Sequence, residues 1–224
     1  MTPAAVALAL AALTEAAGSS APPELVEPPA AVAEPPSAAA PEPAPAPQAA
    51  LAAPRPNFVV PILHGVALMT VMRVTESFLY PDPFSRTEHF AARYEQTFTR
   101  PPLFDSSQRA FEWDRDPWTI NVLGHGLFGS ELYLRARTCH LRWYGALAFA
   151  AASSALWEYG FEGNGVRPSA LDLVYTPLAG MALGEGRYLL WRSAEGVASR
   201  GLRTLLRAAV DPFGEAERAF GAGC

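Results

Sequence analysis

The stretch WYGALAFAAASSALWEYGFEG, residues 143–163, is an apolar run that ends with two acidic residues. Its length and apolar character predict a buried helix from Trp143 to Glu162. Glu158 and Glu162 are four residues apart, so they lie on one helix face together with Ser154. An ionised carboxylate in an apolar helix is costly unless it meets a partner or reaches water. We therefore expect polar groups from neighbouring helices to meet these acids in the interior.

Three further apolar segments predict helices of similar length. The first covers residues 58–79, and the second begins with Asp116 as N-cap and Pro117 in the first turn and ends near Arg137. The fourth opens at "RPSALD" and continues to about Trp191. Since no alternating strand pattern and no internal repeat is found, the predicted fold is all-α. We expect a compact bundle of four main apolar helices.

Two shorter amphipathic helices are predicted beside the bundle. In one, Phe90, Tyr94 and Phe98 recur every four residues. In the other, at residues 198–210, arginines occupy one face and leucines another. This basic helix either lies on an anionic membrane surface or packs its leucines on the core, and the sequence leaves both alternatives open.

The N-terminal quarter of the chain is predicted to lie outside the folded unit. Residues 1–21 resemble a secretory signal peptide with a cut after Ala21, although no Arg or Lys precedes the apolar run. Residues 22–57 are a linker rich in alanine and proline, which is expected to be disordered because proline blocks regular structure. One helical domain is then expected at residues 58–224.

Composition and cysteine spacing limit the function classes. The chain is 50% hydrophobic and only 17% charged, and its formal net charge is −5. A nucleic-acid-binding protein would show a strongly basic face, so no nucleic-acid partner is expected. Cys139 and Cys224 have no metal-ligand spacing and are expected to form no disulfide framework, so neither thiol fixes the redox compartment.

Membrane association is expected, but the topology is left open. The four main helices are close to the spanning length, tryptophans cluster at their ends, and Gly180 and Gly184 have the spacing of closely packed helices. If all four helices crossed the bilayer, the arginine clusters would place the N-terminus in the cytoplasm, which a cleaved signal forbids. We expect a bundle that packs on or dips into the membrane on the periplasmic side of the cell envelope; a fully soluble bundle is the alternative.

Polar side chains at helical spacing predict one shared buried cluster. Asn121 and His125 share a face of the second helix, and both are expected to face Glu158. Polar side chains of the fourth helix are expected to complete the cluster. The predicted site consists of the candidate catalytic residues His125, Glu158 and Asp172 and of the further polar residues Asn121, Glu162, Thr176 and Arg187.

These residues also have structural interpretations. Ser169 and Asp172 have the spacing of a capping box, whose acid is the main role expected for Asp172. His125 can be an ordinary core histidine, Glu162 a solvated helix end, and Arg187 can extend to the rim. As a site, a histidine near carboxylates suits general acid–base catalysis or a hard divalent metal ion. No motif for a metal, a nucleophile or a phosphate is present, so no cofactor is predicted and metal binding is left open.

Several blocks of sequence carry a family resemblance. In order they are EWDRDPWTINVLGHGLFGSELYLRAR, WEYGFEG, RPSALDLVYTPLAGMALGE and DPFG, within about residues 110–215. They resemble the bacterial family catalogued as domain of unknown function 3943, and more weakly the VanZ-like membrane proteins. The first resemblance implies a helical, often exported envelope protein and implies no activity. The family-like residues are Asp114, Asp116, Trp118, Asn121, His125, Gly129, Arg137, Trp157, Glu158, Glu162, Pro168, Ser169, Asp172, Pro177, Gly180, Gly184 and Glu185.

The preferred functional hypothesis is a membrane-associated envelope protein whose polar cluster serves structure or binds a lipid or a partner. One alternative is a hydrolase-like enzyme at the membrane surface, with His125 and Glu158 as the acid–base pair. Another is a transport or channel accessory in which intramembrane charges line a path. The sequence names no protein partner and no substrate.

Overall fold

The computed structural model describes residues 54–163 and 165–224, and within them the predicted all-α bundle is confirmed. The predicted signal peptide, and the predicted linker apart from its last four residues, lie outside the described residues. The described part contains no β-strand, and one isolated parallel bridge joins Leu103 to Ser169. The helices are α1 (Val59–Leu79), α2 (Pro81–Phe84), α3 (Phe90–Thr99), α4 (His125–Thr138), α5 (Trp143–Leu156), α6 (Ala170–Glu195), α7 (Arg200–Val210) and α8 (Pro212–Ala219), with two π-helical turns, π1 (Thr119–Gly124) and π2 (Trp157–Phe161).

Helix α1 matches the first predicted apolar helix and packs on the bundle through one narrow face. Asn57 begins it by accepting a hydrogen bond from the backbone N–H of Val59 at 2.9 Å. Only Pro61, Gly65 and Met69, at spacings of four, are buried. The remainder of the helix, although apolar, is mostly exposed.

The entrance to the second main helix differs from the prediction. Asp116 makes no capping hydrogen bond; instead its backbone N–H donates to Asp114 Oδ1 at 3.1 Å. The first turn is the π-turn π1, and α4 begins only at His125. The side chain of Asn121 ties this turn to the preceding loop by donating to the carbonyl oxygen of Phe111 at 2.8 Å. The start of this helix is therefore held by hydrogen bonds to and within the loop that precedes it.

The predicted third and fourth helices are present with adjusted ends. The third is α5 followed by π2, which together cover Trp143 to Phe161. The fourth, α6, begins after Ser169, whose Oγ accepts the backbone N–H of Asp172 at 3.1 Å. Helix α6 continues to Glu195, four residues beyond the predicted end.

The packing is centred on α4, which contacts α6, α5 and α1. Glycines allow α4 and α6 to approach closely, as the spacing of Gly180 and Gly184 predicts. A Cβ atom on Gly129 would collide with the carbonyl oxygen of Thr176, and one on Gly180 would lie 2.5 Å from the carbonyl carbon of Gly129. Around this contact the core is formed by Phe128, Leu132, Tyr133, Ala136, Leu141, Ala146, Ala150 and Trp157.

The C-terminal segment is fastened to the end of α4 by a disulfide bond between Cys139 and Cys224. The expectation that the cysteines form no disulfide framework is therefore wrong. The two residues are 85 positions apart, and α7 and α8 bring the chain back so that their Cα atoms lie 5.1 Å apart. Spacing in the sequence carries no information about a contact of this kind.

Helix α1 is the one helix of the described residues that is long and apolar enough to cross a membrane. Its composition and its 21 residues meet that requirement, and only 17% of the most apolar window is buried. The other three predicted apolar helices do not meet it. The arrangement in which all four helices span the bilayer is therefore not supported.

Candidate functional site

Three side chains from three different segments meet in the interior of the bundle. They are His125 at the start of α4, Glu158 in π2 and Asp172 in the first turn of α6. One potential ligand atom from each lies within 4.8 Å of the other two. All three are buried, with exposed fractions of 7%, 1% and 2% respectively. The structure thus brings together the three candidate catalytic residues.

His125 is held on the α6 side of this group. Its Nδ1 lies 3.0 Å from Thr176 Oγ1 and 3.5 Å from Asp172 Oδ1. Burial lowers the pKa of His125 to about 4, so the imidazole is neutral at pH 7. A neutral imidazole can accept a proton or bind a metal ion.

Glu158 and Asp172 are joined through the N-cap of α6. The backbone N–H of Ser169 donates to Glu158 Oε2 at 2.7 Å. In a complete capping box this N–H would donate to the side chain of Asp172 instead. Only half of the predicted capping box is therefore made, and the Asp172 carboxylate is left for the cluster. Ser154, on α5, donates through Oγ to the backbone oxygen of Asp172 at 3.0 Å.

Asp114 is a further member that was not among the predicted site residues. Its Oδ2 accepts the Ser169 hydroxyl at 2.6 Å, and its Oδ1 accepts Asn121 Nδ2 at 2.7 Å. Asn121, which was predicted, therefore joins the site through Asp114. We call the group the acid cluster; its members are Asp114, Asn121, His125, Glu158, Ser169, Asp172 and Thr176.

Protonation differs among the carboxyl groups of the acid cluster. Burial, reinforced by the neighbouring acids, raises the pKa of Glu158 to about 8 and that of Asp172 to about 9. For Asp114 burial acts in the same direction, but hydrogen bonds from Ser169 and Asn121 outweigh it and lower its pKa. At pH 7 the cluster therefore holds one ionised carboxylate, two protonated carboxyl groups and a neutral imidazole.

Three oxygen atoms of the acid cluster have no hydrogen-bond donor among the described residues. They are Asn121 Oδ1, Glu158 Oε1 and Asp172 Oδ1. Each belongs to a side chain that is at most 2% exposed. Buried polar atoms are normally satisfied, so three unsatisfied acceptors in one cluster require an explanation.

The remaining predicted polar residues divide between two places. Thr176 lies in the acid cluster, and the partly buried Glu162 lies at its edge, beside Glu76 of α1. Burial and then the charge of Glu158 raise the pKa of Glu162 well above its usual range. Arg187 lies elsewhere, because its Nη2 binds Glu131 Oε2 at 2.7 Å and its Nε binds the backbone oxygen of Val210. The prediction that Arg187 closes the cluster is wrong.

Arg187 belongs instead to a second buried group, which we call the paired network. At its centre Arg135, fully buried, binds Asp211 Oδ1 at 2.9 Å and Glu131 Oε1 at 3.2 Å. His64 Nδ1 lies 2.6 Å from Glu217 Oε1. The members of the paired network are His64, Glu131, Arg135, Arg187, Asp211, Glu217 and Arg218. The sequence analysis missed this network, because Asp211 and Glu217 are distant from Arg135 in sequence.

Comparison with known proteins identifies the region that carries the acid cluster. Residues 110–213 match the family described as Domain of unknown function (DUF3943). The resemblance to this family is thereby confirmed for this region of the chain. The DUF3943 region includes the whole acid cluster and the helices α4 to α7, whereas α1 and α8 lie wholly or mostly outside it. The chain has no match among curated proteins or among solved structures.

Proposed function

We propose that this protein is a membrane-associated helical bundle of the bacterial cell envelope that attaches to the bilayer through α1. The observation that carries this proposal is the exposure of the apolar side chains of α1. Eight large apolar side chains of α1 have exposed fractions between 44% and 81%: Val59, Ile62, Leu63, Val66, Val71, Val74, Phe78 and Leu79. Soluble proteins rarely expose apolar patches of this extent unless the patch binds something.

The dimensions of α1 favour a lipid occupant for this surface. Its 21 residues, at about 1.5 Å per residue, extend about 31 Å, close to the thickness of a bilayer's hydrocarbon core. Its inner face is already occupied, since Gly65 faces Leu132 and Phe149. The lipid would therefore meet the outer face, while the inner face holds the bundle.

Helix α7 supplies a second surface of the same character. Its Leu202, Leu205 and Leu206 are 49%, 65% and 40% exposed, so they do not pack on the core. Arg200 is exposed and Arg203 partly exposed on the same short helix. This combination of exposed leucines and arginines suits the interfacial region of an anionic membrane.

The disulfide bond supports the envelope location. Disulfides persist in oxidising compartments such as the bacterial periplasm and are rare in the cytosol. The bond between Cys139 and Cys224 is therefore the feature that favours the periplasmic side of the membrane.

Vesicle flotation of the full chain tests the proposal. With vesicles of phosphatidylethanolamine and phosphatidylglycerol, the wild-type chain should float, and the double variant Leu63→Glu/Val74→Glu should remain in the dense fraction. Both residues are at least half exposed, so the fold should survive the change. Phe104→Glu, at a similarly exposed apolar residue outside α1, is the matched control and should float. A wild-type chain that stays in the dense fraction, or a double variant that floats equally well, would contradict the proposal.

A second candidate function, hydrolysis at the membrane surface, is favoured by the protonation of the acid cluster. At pH 7 the neutral His125 can accept a proton, and Glu158, with its pKa of about 8, can donate one. If these groups are catalytic, Glu158→Gln should keep the fold and abolish hydrolysis of phosphate or carboxylic esters presented in vesicles. Failure of the wild-type chain to hydrolyse any of these esters, or equal activity of the variant, would reject this function.

A further inference from the structure

The unsatisfied oxygen atoms of the acid cluster distinguish it from an ordinary buried hydrogen-bond network. Asp172 Oδ1 lies 3.5 Å from His125 Nδ1, beyond hydrogen-bond length for a well-formed N–H···O contact, and accepts no hydrogen bond from any described residue. Glu158 uses Oε2 for the backbone of Ser169 and leaves Oε1 without a donor. Each of these two carboxyl groups thus keeps one oxygen that accepts no hydrogen bond from a described residue, while the Asp172 carboxyl group also contacts that of Asp114.

No arginine forms an ion pair with these carboxyl groups in the part of the chain that the structure describes. Among the described residues, the ion pairs formed by arginines involve other acids and none joins Asp114, Glu158 or Asp172. The sequence contains no lysine that could take that place. A buried carboxyl group is ordinarily paired with a cation, bound to a metal ion or kept protonated. Because Glu158 and Asp172 have no cationic partner among the described residues, they hold either a proton or a metal ion.

The donor set suits a divalent metal ion, and its spacing lies close to what such an ion requires. Two carboxylates and one neutral imidazole together carry a charge of −2 when ionised, which a divalent cation neutralises. Metal–ligand bonds of about 2.0–2.2 Å in a tetrahedral site place neighbouring ligand atoms about 3.3–3.6 Å apart, and the three atoms lie within 4.8 Å of one another. Binding an ion would therefore require the ligand atoms to move together by about 1 Å.

Residues around the three side chains hold them in place for this role. Thr176 contacts the imidazole, the Ser169 backbone orients Glu158, and the Ser169 hydroxyl is in turn held by Asp114. Groups that orient metal ligands in this way are typical of metal sites in proteins. The amide oxygen of Asn121, one helical turn before His125, is a further unsatisfied oxygen on the same face.

We propose that His125, Glu158 and Asp172 bind one divalent transition-metal ion of the zinc or manganese type. An imidazole nitrogen favours zinc, iron and similar ions over calcium, and the two carboxylates extend the range to manganese. This site concerns the interior of the bundle, so it depends neither on membrane attachment by α1 nor on any hydrolytic activity.

Metal titration of the full chain tests the site without an activity assay. The purified chain is stripped with EDTA and titrated calorimetrically with Zn²⁺ and, separately, with Mn²⁺. The wild-type chain should bind one ion of at least one of these metals, and binding should raise the melting temperature. Glu158→Gln and Asp172→Asn, which keep the side-chain size, should each weaken the affinity at least 100-fold.

Two matched variants separate this site from nonspecific binding. Glu95→Gln removes an exposed acid outside the acid cluster, and His140→Gln removes an exposed histidine; both should bind within about threefold of the wild type. X-ray absorption of the Zn²⁺-loaded wild-type chain should show one imidazole and oxygen neighbours without sulfur, which keeps the test decisive if a variant fails to fold. The proposal is overturned if the wild type binds neither metal stoichiometrically, if folded Glu158→Gln and Asp172→Asn bind as tightly as wild type, or if the absorption spectrum shows no imidazole.

Discussion

In the paired network each carboxylate meets a guanidinium, whereas in the acid cluster the carboxyl groups meet one another, an imidazole and hydroxyl groups. Asp211, for example, binds Arg135 through one oxygen and Arg218 through the other, each at 2.9 Å. Asp172 has an oxygen that accepts no hydrogen bond from the described residues. Both groups are buried, so burial of charge by itself does not mark a functional site. The balance of opposite charges separates a structural network from a candidate binding site.

The largest effect is expected from breaking the paired network. Arg135→Met would leave Asp211 and Glu131 buried without their shared cation, so the free energy of unfolding should fall by about 3–5 kcal/mol. Denaturant titration of the full chain measures this loss. Arg142→Met, at an exposed arginine, is the control and should change stability by less than about 0.5 kcal/mol. Equal stability of the two variants would mean that the network does not stabilise the fold.

A smaller loss of stability is expected when the disulfide bond that holds the C-terminal part of the paired network is removed. Cys224→Ser removes a cross-link between residues 85 positions apart, and the expected loss is about 2–4 kcal/mol. Thermal unfolding under oxidising conditions measures it. Wild-type protein treated with a reductant should show the same loss, and adding reductant to Cys224→Ser should change nothing further. A wild-type melting curve that is insensitive to reductant would contradict this prediction.

In the acid cluster, the removal of a carboxyl group is expected to increase stability rather than decrease it. At pH 8 in EDTA, Asp172→Asn should raise the free energy of unfolding by about 1–2 kcal/mol, or about 2–4 °C per kcal/mol in melting temperature. Asparagine keeps the size of the side chain and removes a buried acidic group that lies beside Glu158 and Asp114. The comparable change in the paired network, Asp211→Asn, should lower stability. If both substitutions lower stability alike, the contrast between the two groups is refuted.

The pH dependence of stability should show the same contrast. Folding raises the pKa of Asp172 from 3.8 to about 9 and that of Glu158 from 4.5 to about 8, so the native state binds more protons than the unfolded state between these values. Stability from these groups is therefore lost as pH rises toward 9. In EDTA the melting temperature should fall between pH 7 and pH 9. Asp172→Asn should show a shallower fall, and an equal slope would contradict the assignment.

Local periodicity was sufficient to predict the helices and part of the acid cluster. The main helices follow from apolar runs, and the meeting of His125, Glu158 and Asp172 follows from the cost of burying isolated polar groups. Arg187 was misplaced because a shared helix face says nothing about position along the axis. Fifteen residues separate it from Asp172, which is about 22 Å along α6. Two polar residues on one face can therefore belong to different sites.

What the sequence did not disclose depends on contacts between distant segments. Asp114 was quoted in the family-like blocks, but its hydrogen bonds to Asn121 and Ser169 require the loop before π1 to reach the start of α6. The disulfide likewise depends on the return of the C-terminal segment, and the π-turn at Thr119 is hydrogen-bonded to the preceding loop through Asn121. None of these contacts leaves a periodic signal in the sequence.

The amino-acid sequence by itself determined the helices of the bundle, because backbone hydrogen bonding and apolar periodicity act over a few neighbouring residues. It also determined which polar residues had to find partners, because a buried charge is costly wherever it lies. Only the tertiary structure decided which partner each one found. Arg135 and Arg187 joined acids from distant helices, while Glu158 and Asp172 were left with His125, since pairing depends on distances between helices rather than on spacing along the chain.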